Sequence, residues 1–284
     1  MDRQGRPGGL RASSSAGPRS GLQPTTAARG MVRDMGSKPG SQHLCHVLAE
    51  DSDLAEVLPP ARRERALDDC TAPLLTLPTG PWIEEMTLPP DGLGLLILEG
   101  LMLRRVAIDG RFAVELLGEC DIVRPWQQED VQTLPLKAQW VVLEPMRLVL
   151  LGGEFTRRLA EYPELAGRLF ERAIRRSRRL VINMAIIHQA RVDDRLRLLF
   201  WHFAGRWGRV RGDGVLLPFR LTHTVLADLV AARRPTVTSA LSDLSRRGLV
   251  RAMDDGWLLI GEPPGPIEGL IAHGYTPTAG PLDR

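Results

Sequence analysis

The chain has 284 residues with 37 basic and 34 acidic side chains, and the net charge of +3 excludes neither an enzyme nor a binding protein. The total conceals a split, because residues 1–40 carry +5, residues 41–156 carry −10, residues 157–260 carry +10 and the rest −2, which points to two domains, the second facing a polyanion. Leu93 to Leu103 is broken by Glu99 and too short to span a bilayer, the first thirty residues lack the apolar core of a secretory signal, and Cys45, Cys70 and Cys120 are far apart, so no membrane span, export, disulfide framework or thiolate cluster is expected and a reducing cytoplasm fits.

Residues 1–40 are rich in Gly, Ser, Pro, Thr and Arg with almost no large apolar side chains, a composition expected to stay disordered as a basic extension. Met31 and Met35 are alternative starts at its end. The cluster His43-Leu44-Cys45-His46 precedes the next domain and reads as incidental rather than as a metal site.

Residues 41–156 are expected to form an antiparallel β domain of jelly-roll type. Short apolar or alternating runs cover Leu74 to Leu77, Gly92 to Leu98, Leu101 to Ile108, Phe112 to Leu117, Gln139 to Leu143 and Met146 to Leu151. Asp109-Gly110 between two of them signals a hairpin. The period then changes, and residues 157–190 contain a long helix from Pro163 to His188. One face carries Leu165, Leu169, Ala173, Leu180 and Ile187, flanked by Ala166, Phe170, Val181 and Met184, and the opposite back carries Arg168, Arg172, Arg175, Arg178 and Arg179. The apolar face can pack on the β domain, on a second copy, or on both, with Arg176 and Asn183 near the seam.

Residues 191–260 hold the most informative segment. A helix from Val192 to Trp207 is followed by LTHTVLADLVAARRPTVTSALSDLSRRGLVRAMDDGWLLI, Leu221 to Ile260. Thr222 caps a short helix, Ala231 to Arg234 make a turn, Pro235 opens a second helix that ends at Gly248, and Asp254-Asp255-Gly256 joins two strands. Helix, turn, helix and hairpin make a winged helix-turn-helix. Outside the inward set Val237, Ala240, Leu241 and Leu244, the second helix offers short hydroxyls and cations suited to a DNA major groove. The candidate DNA-contacting residues are Thr222, Arg233, Arg234, Pro235, Thr236, Thr238, Ser239, Ser242, Arg246 and Arg251. Residues 261–284 read as a flexible tail.

From about Asp53 to Ile260 the chain resembles the Crp/Fnr family of bacterial transcription regulators, and the LTHTVLADLVAARRPTVTSAL segment carries the resemblance most specifically. The resemblance implies an α+β fold with a cyclic-nucleotide-binding-like β-barrel, a long dimerisation helix and a winged helix-turn-helix. It also implies a homodimer on a two-fold symmetric double-stranded DNA operator, RNA polymerase as a further partner, and no enzymatic activity. Arg234 matches the family's guanine-reading arginine, whereas Pro235 and Ser239 stand where the family commonly has glutamate and arginine. The candidate effector-binding residues are Gly118, Glu119, Arg124, Lys137 and Asn183, with Arg124 and Lys137 the only cations near the Gly118-Glu119 turn. Gly118-Glu119 matches the family's pair, but no Arg-Ser pair follows, and Glu129 and Asp130 oppose a phosphate. Cyclic nucleotide binding is therefore disfavoured. Neither the family's iron–sulfur cluster nor haem is expected, with three cysteines and no histidine between His46 and His188; the same lack of histidine argues against a metal-dependent cupin enzyme. Two alternatives stay open: a constitutive regulator whose barrel is only a dimerisation scaffold, and a nucleotide-sensing regulatory subunit without DNA binding.

Overall fold

Two long strands organise the N-terminal half. The computed structural model describes residues 43–82, 91–109, 111–124 and 136–265. The expected N-terminal extension, Glu129-Asp130 and nearly all of the expected C-terminal tail lie outside the described residues.

Strand β1 (Leu44–His46) leads into three helices, α1 (Val47–Glu50), α2 (Ser52–Glu56) and α3 (Pro60–Asp69), and then into β2 (Thr71–Leu77) and β3 (Gly80–Trp82). The sheet continues with β4 (Gly94–Ile108), β5 (Arg111–Gly118), β6 (Ile122–Val123) and β7 (Leu136–Leu151). Every pairing is antiparallel, in the order β1-β2-β7-β4-β5, with β3 on β7 and β6 on β4. Two pairs of expected strands are thus single strands with a kink. The β4–β7 register shifts between Ile97 and Met102, and such bulges bend a strand and change which face a residue takes. Leu95 and Ile97 point inward before the bulge, and Met102 points inward after it. Gly100 makes the bend with φ +94, and a Cβ there would lie 2.3 Å from the Pro145 carbonyl oxygen. The kinked strands wrap an interior of Leu95, Ile97, Met102, Leu117, Trp140 and Met146.

After α4 (Gly153–Leu159) comes the long helix α5 (Pro163–Ile187), and then α6 (Val192–Trp207). The C-terminal unit adds β8 (Arg209–Arg211), β9 (Gly214–Leu217), α7 (His223–Leu229), α8 (Arg234–Arg246), β10 (Val250–Met253) and β11 (Gly256–Leu259). Its four strands run β10-β11-β9-β8. The outer face of the N-terminal sheet is not left to water. Leu101, Leu103 and Leu116 share one apolar core with Leu196, Leu199 and Phe200 of α6 and with Leu226, Val237 and Leu241 of the helix pair. Full burial of each such side chain contributes about 1.5–3 kcal/mol.

The orientation of α5 corrects the sequence-based division of its faces. Arg168, Arg172 and Arg179 of its basic back are turned into the protein, while Arg175 and Arg178 are exposed and Leu165 and Leu169 of the apolar face are buried. Arg172 is only 6 % exposed and bonds Asp51 at 2.6 and 2.8 Å and Asp53 at 2.7 Å. Arg168 pairs with Asp53, Arg176 with Glu115 at 2.8 Å, and Arg179 with Asp121. What faces out instead is Phe170, Val181 and Met184, which are 69, 63 and 56 % exposed, together with Ile174 and Ile182. The reason is charge. The acidic N-terminal half lies under the arginines, and a buried guanidinium is tolerated where carboxylates take its hydrogen bonds. Burial opposes the charge on Arg172, but the bonds to Asp51 and Asp53 outweigh it and hold the guanidinium above its ordinary pKa. Arg176, placed near the seam from sequence, likewise faces the sheet, while Asn183 is half-buried with an unpartnered Oδ1 among the described residues.

Of the early histidines and cysteine, His43 is exposed. Cys45 is buried, and His46 Nδ1 lies 2.9 Å from the Leu67 carbonyl oxygen.

Candidate nucleic-acid interface

Local signals set each end of the helix pair. Thr222 has extended backbone, and its hydroxyl accepts the Val225 N–H at 3.2 Å, capping α7. Ala231 takes the left-handed conformation at φ 50, and the Ala232 N–H donates to the Ala227 carbonyl at 2.9 Å. Helix α8 starts one residue earlier than the sequence suggested, with Arg233 at the N-cap and Pro235 in the first turn. Gly248 ends it at φ +68. The wing turn is the two residues Asp254-Asp255, with Gly256 already paired to Met253. A Cβ at Gly256 would stand 1.9 Å from the Leu217 carbonyl oxygen, so the wing lies against β9 only if this residue is glycine.

Val237, Ala240, Leu241 and Leu244 are buried as expected. Thr222, Arg233, Arg234, Pro235, Thr236, Thr238, Ser239, Ser242, Arg246 and Arg251 are all exposed. Eight of these ten line α8 or its N-cap, while Thr222 and Arg251 flank it from α7 and β10. Arg233, Arg234 and Arg251 make no ion pair among the described residues, whereas Arg246 pairs with Asp243 on its own helix. The hydroxyls are committed in one direction. Thr238, Ser239 and Ser242 donate to the carbonyls of Arg234, Pro235 and Thr238 at 3.1, 3.2 and 3.0 Å, which leaves oxygen lone pairs toward solvent. The sequence reading missed His223, whose Nδ1 lies 2.9 Å from Thr238 Oγ1. No spacing rule links residues on two different helices.

The expected effector residues do not come together as a set of ligands. The Gly118 N–H donates to Asp121 Oδ2 at 3.1 Å, and its carbonyl accepts from Arg206 Nη2 at 3.1 Å. A Cβ there would meet the Trp207 ring at 3.1 Å. The Glu119 carbonyl also accepts from Arg206, while its residue is exposed. Arg124 donates to the Gly92 carbonyl, and Lys137 is exposed on β7. Asn183 sits on α5. The reading of Arg124 and Lys137 as the only cations near the Gly118-Glu119 turn is corrected: Arg179 and Arg206 converge there from α5 and α6, both on Asp121. Burial lowers the pKa of Arg179, Asp121 counters it, and Arg206 adds to the lowering. His202, also on α6, is pushed down by burial and then by Arg179 and Arg206.

The junction between α5 and α6 is multiply tied. Arg191 and Arg247 both pair with Asp193, at 2.9 and 3.2 Å, and Arg195 donates to the Val230 carbonyl at 3.1 Å.

The family model for the Crp-like helix-turn-helix domain matches residues 194–264, the same α6-to-wing unit. Residues 194–264 thus carry a Crp-like helix-turn-helix domain. A curated relative, the CRP-like cAMP-activated global transcriptional regulator of Mycobacterium tuberculosis, is 28 % identical over 171 residues, covering 57 % of this chain and 73 % of its own. Among solved structures, a cyclic nucleotide-binding domain containing protein from Listeria monocytogenes EGD-e superposes with a TM-score of 0.55 at 14 % identity, over 73 % of this chain and 96 % of that one. FixK2 from Bradyrhizobium japonicum gives 0.50 at 14 % identity, over 68 and 93 %. At these identities the structures attest the fold alone, a cyclic-nucleotide-binding-like β domain followed by a helix-turn-helix. Among the described residues, no helix is long and apolar enough to cross a membrane.

Proposed function

We propose that the protein is a cytoplasmic, non-enzymatic homodimer that reads a two-fold symmetric operator through α8. The observation that carries this reading is the exposed face of α8, where Thr236, Thr238, Ser239 and Ser242 follow Arg233 and Arg234, which make no ion pair among the described residues. Arg233, Arg234, Arg251 and the back-bonded hydroxyls of Thr238, Ser239 and Ser242 provide phosphate and base contacts, while Thr222, Pro235 and Thr236 sit close to the duplex. Arg246, already paired with Asp243, contributes less.

Dimerisation is supported by the uncovered face of α5. Phe170, Ile174, Ser177, Val181, Met184 and His188 follow one another at steps of four and three, the seam of a two-stranded coiled coil. Two copies joined there present two α8 helices to half-sites about 34 Å apart. RNA polymerase is the expected further partner. Ultracentrifugation and unbiased selection of bound DNA test the reading; a monomer, or selected DNA without two-fold symmetry, contradicts it.

In the effector domain a cyclic nucleotide remains disfavoured, because Asp121 already uses the Arg179 and Arg206 charges that a phosphate would need. The same observation favours a second reading, a constitutive regulator whose β domain is a scaffold. A thermal-shift screen decides between them, since any metabolite that stabilises the chain strongly ends the constitutive reading. Haem and an iron–sulfur cluster stay outside the proposal for want of a histidine between His46 and His188 and of a fourth cysteine.

A further inference from the structure

The Thr238 hydroxyl is constrained from two sides. A hydroxyl has one proton to donate and two lone pairs to accept with. The proton goes to the Arg234 carbonyl, 3.1 Å away and one helical turn back. His223, the first residue of α7, places Nδ1 at 2.9 Å from the same oxygen. With the threonine proton on that carbonyl, an imidazole that carries its proton on Nδ1 donates to the hydroxyl oxygen. One lone pair is then left, on an exposed residue of the α8 face.

We propose that His223 is a positioning residue for base selection, holding Thr238 as an acceptor-only reader. This inference rests on the reading of α8 as the DNA-contacting helix. In the major groove adenine offers its N6 amino group and cytosine its N4 amino group, whereas guanine and thymine offer acceptors at O6, N7 and O4. An acceptor-only Thr238 therefore favours adenine or cytosine at the base it faces and disfavours guanine and thymine. Without His223 the oxygen regains a second lone pair, and its proton can leave the Arg234 carbonyl. The residue then donates as readily as it accepts, and the preference relaxes while the helix and its phosphate contacts stay in place. Such coupling is invisible in sequence, because residues 223 and 238 belong to different helices brought together by the buried face of the pair.

The test is a panel of operator duplexes with every base substituted in turn, bound by the full-length chain and by variants at several salt concentrations. The wild type is expected to prefer adenine or cytosine at one position per half-site. His223→Ala should flatten that preference by about three- to ten-fold, the worth of one hydrogen bond, with an unchanged salt slope. Thr238→Val, nearly isosteric, should flatten the same position, and adding His223→Ala to it should change nothing further. His223→Asn, whose amide nitrogen replaces Nδ1 as donor, should retain the preference. Uniform weakening on all duplexes with a shallower salt slope would make His223 a phosphate contact and overturn the inference, as would additive effects of His223→Ala and Thr238→Val. No selective binding by the wild type would overturn the DNA-reading assignment itself; selective wild-type binding with an unaltered His223→Ala profile overturns this inference alone.

Discussion

Arg206, in the last turn of α6, bonds Asp121 of the β5–β6 turn at 2.8 Å, and Asp121 is 2 % exposed. The carboxylate also takes Arg179 from α5 and the Gly118 N–H. One side chain thus joins the β domain, the long helix and the first helix of the DNA-reading unit. Together with the shared apolar core and the Arg105–Asp228 pair at 2.7 Å, it fixes how the two halves meet.

Replacing Asp121 by alanine should be strongly destabilising. Removing one partner of a buried ion pair leaves the others uncompensated, a loss of about 3–5 kcal/mol. Urea unfolding should show a lower midpoint, and limited proteolysis should cut between the halves; an unchanged midpoint would mean the arginines relax into solvent.

Val181→Arg and Met184→Glu should convert the dimer to a monomer while leaving each protomer folded. Both residues are more than half exposed on their own chain, so only an intermolecular contact is lost. Light scattering reads the mass, and operator affinity should fall with it.

Arg234→Ala should cost about 1–3 kcal/mol in operator affinity and relax preference at one base. Arg246→Ala should weaken all sequences alike and lower the salt slope by less than one unit, because Asp243 already neutralises part of its charge. Binding isotherms across salt, on matched and mismatched duplexes, separate the two.

Stability should decline on mild acidification through His202. Burial and the two neighbouring arginines depress its pKa in the folded chain, while an unfolded histidine titrates near about 6.5. Above that pH the side chain is neutral in both states and the full stability is present. As pH falls, the unfolded chain takes up the proton first, so stability drops until the depressed folded value is passed. His202→Gln should flatten this part of the curve in urea titrations between pH 7.5 and 5.

The helix-turn-helix was legible almost to the residue because its signals are local. A capping threonine, a proline in the first turn, a terminal glycine and a two-residue wing turn act on their own few neighbours, and the inward set Val237, Ala240, Leu241 and Leu244 follows from helical period alone. The strands were legible as runs, but not their continuity. Whether Leu98 and Leu101 belong to one kinked strand depends on β7 lying alongside, with the Pro145 carbonyl against Gly100.

By itself, then, the sequence determined the charge asymmetry, the antiparallel β strands, the long helix and the winged helix-turn-helix. Only the tertiary structure decided which side of the long helix faces outward. Helical period separates an apolar stripe from a basic one but cannot say which is covered, and here the answer came from carboxylates 58 to 121 residues away from the arginines they bind. It also decided that the Gly118-Glu119 turn is filled by Asp121 and by cations from two distant helices, and that His223 reaches Thr238. Each of these depends on charges and hydrogen-bonding groups meeting across elements, where a buried polar atom must find its partner and sequence separation carries no information about which partner that is.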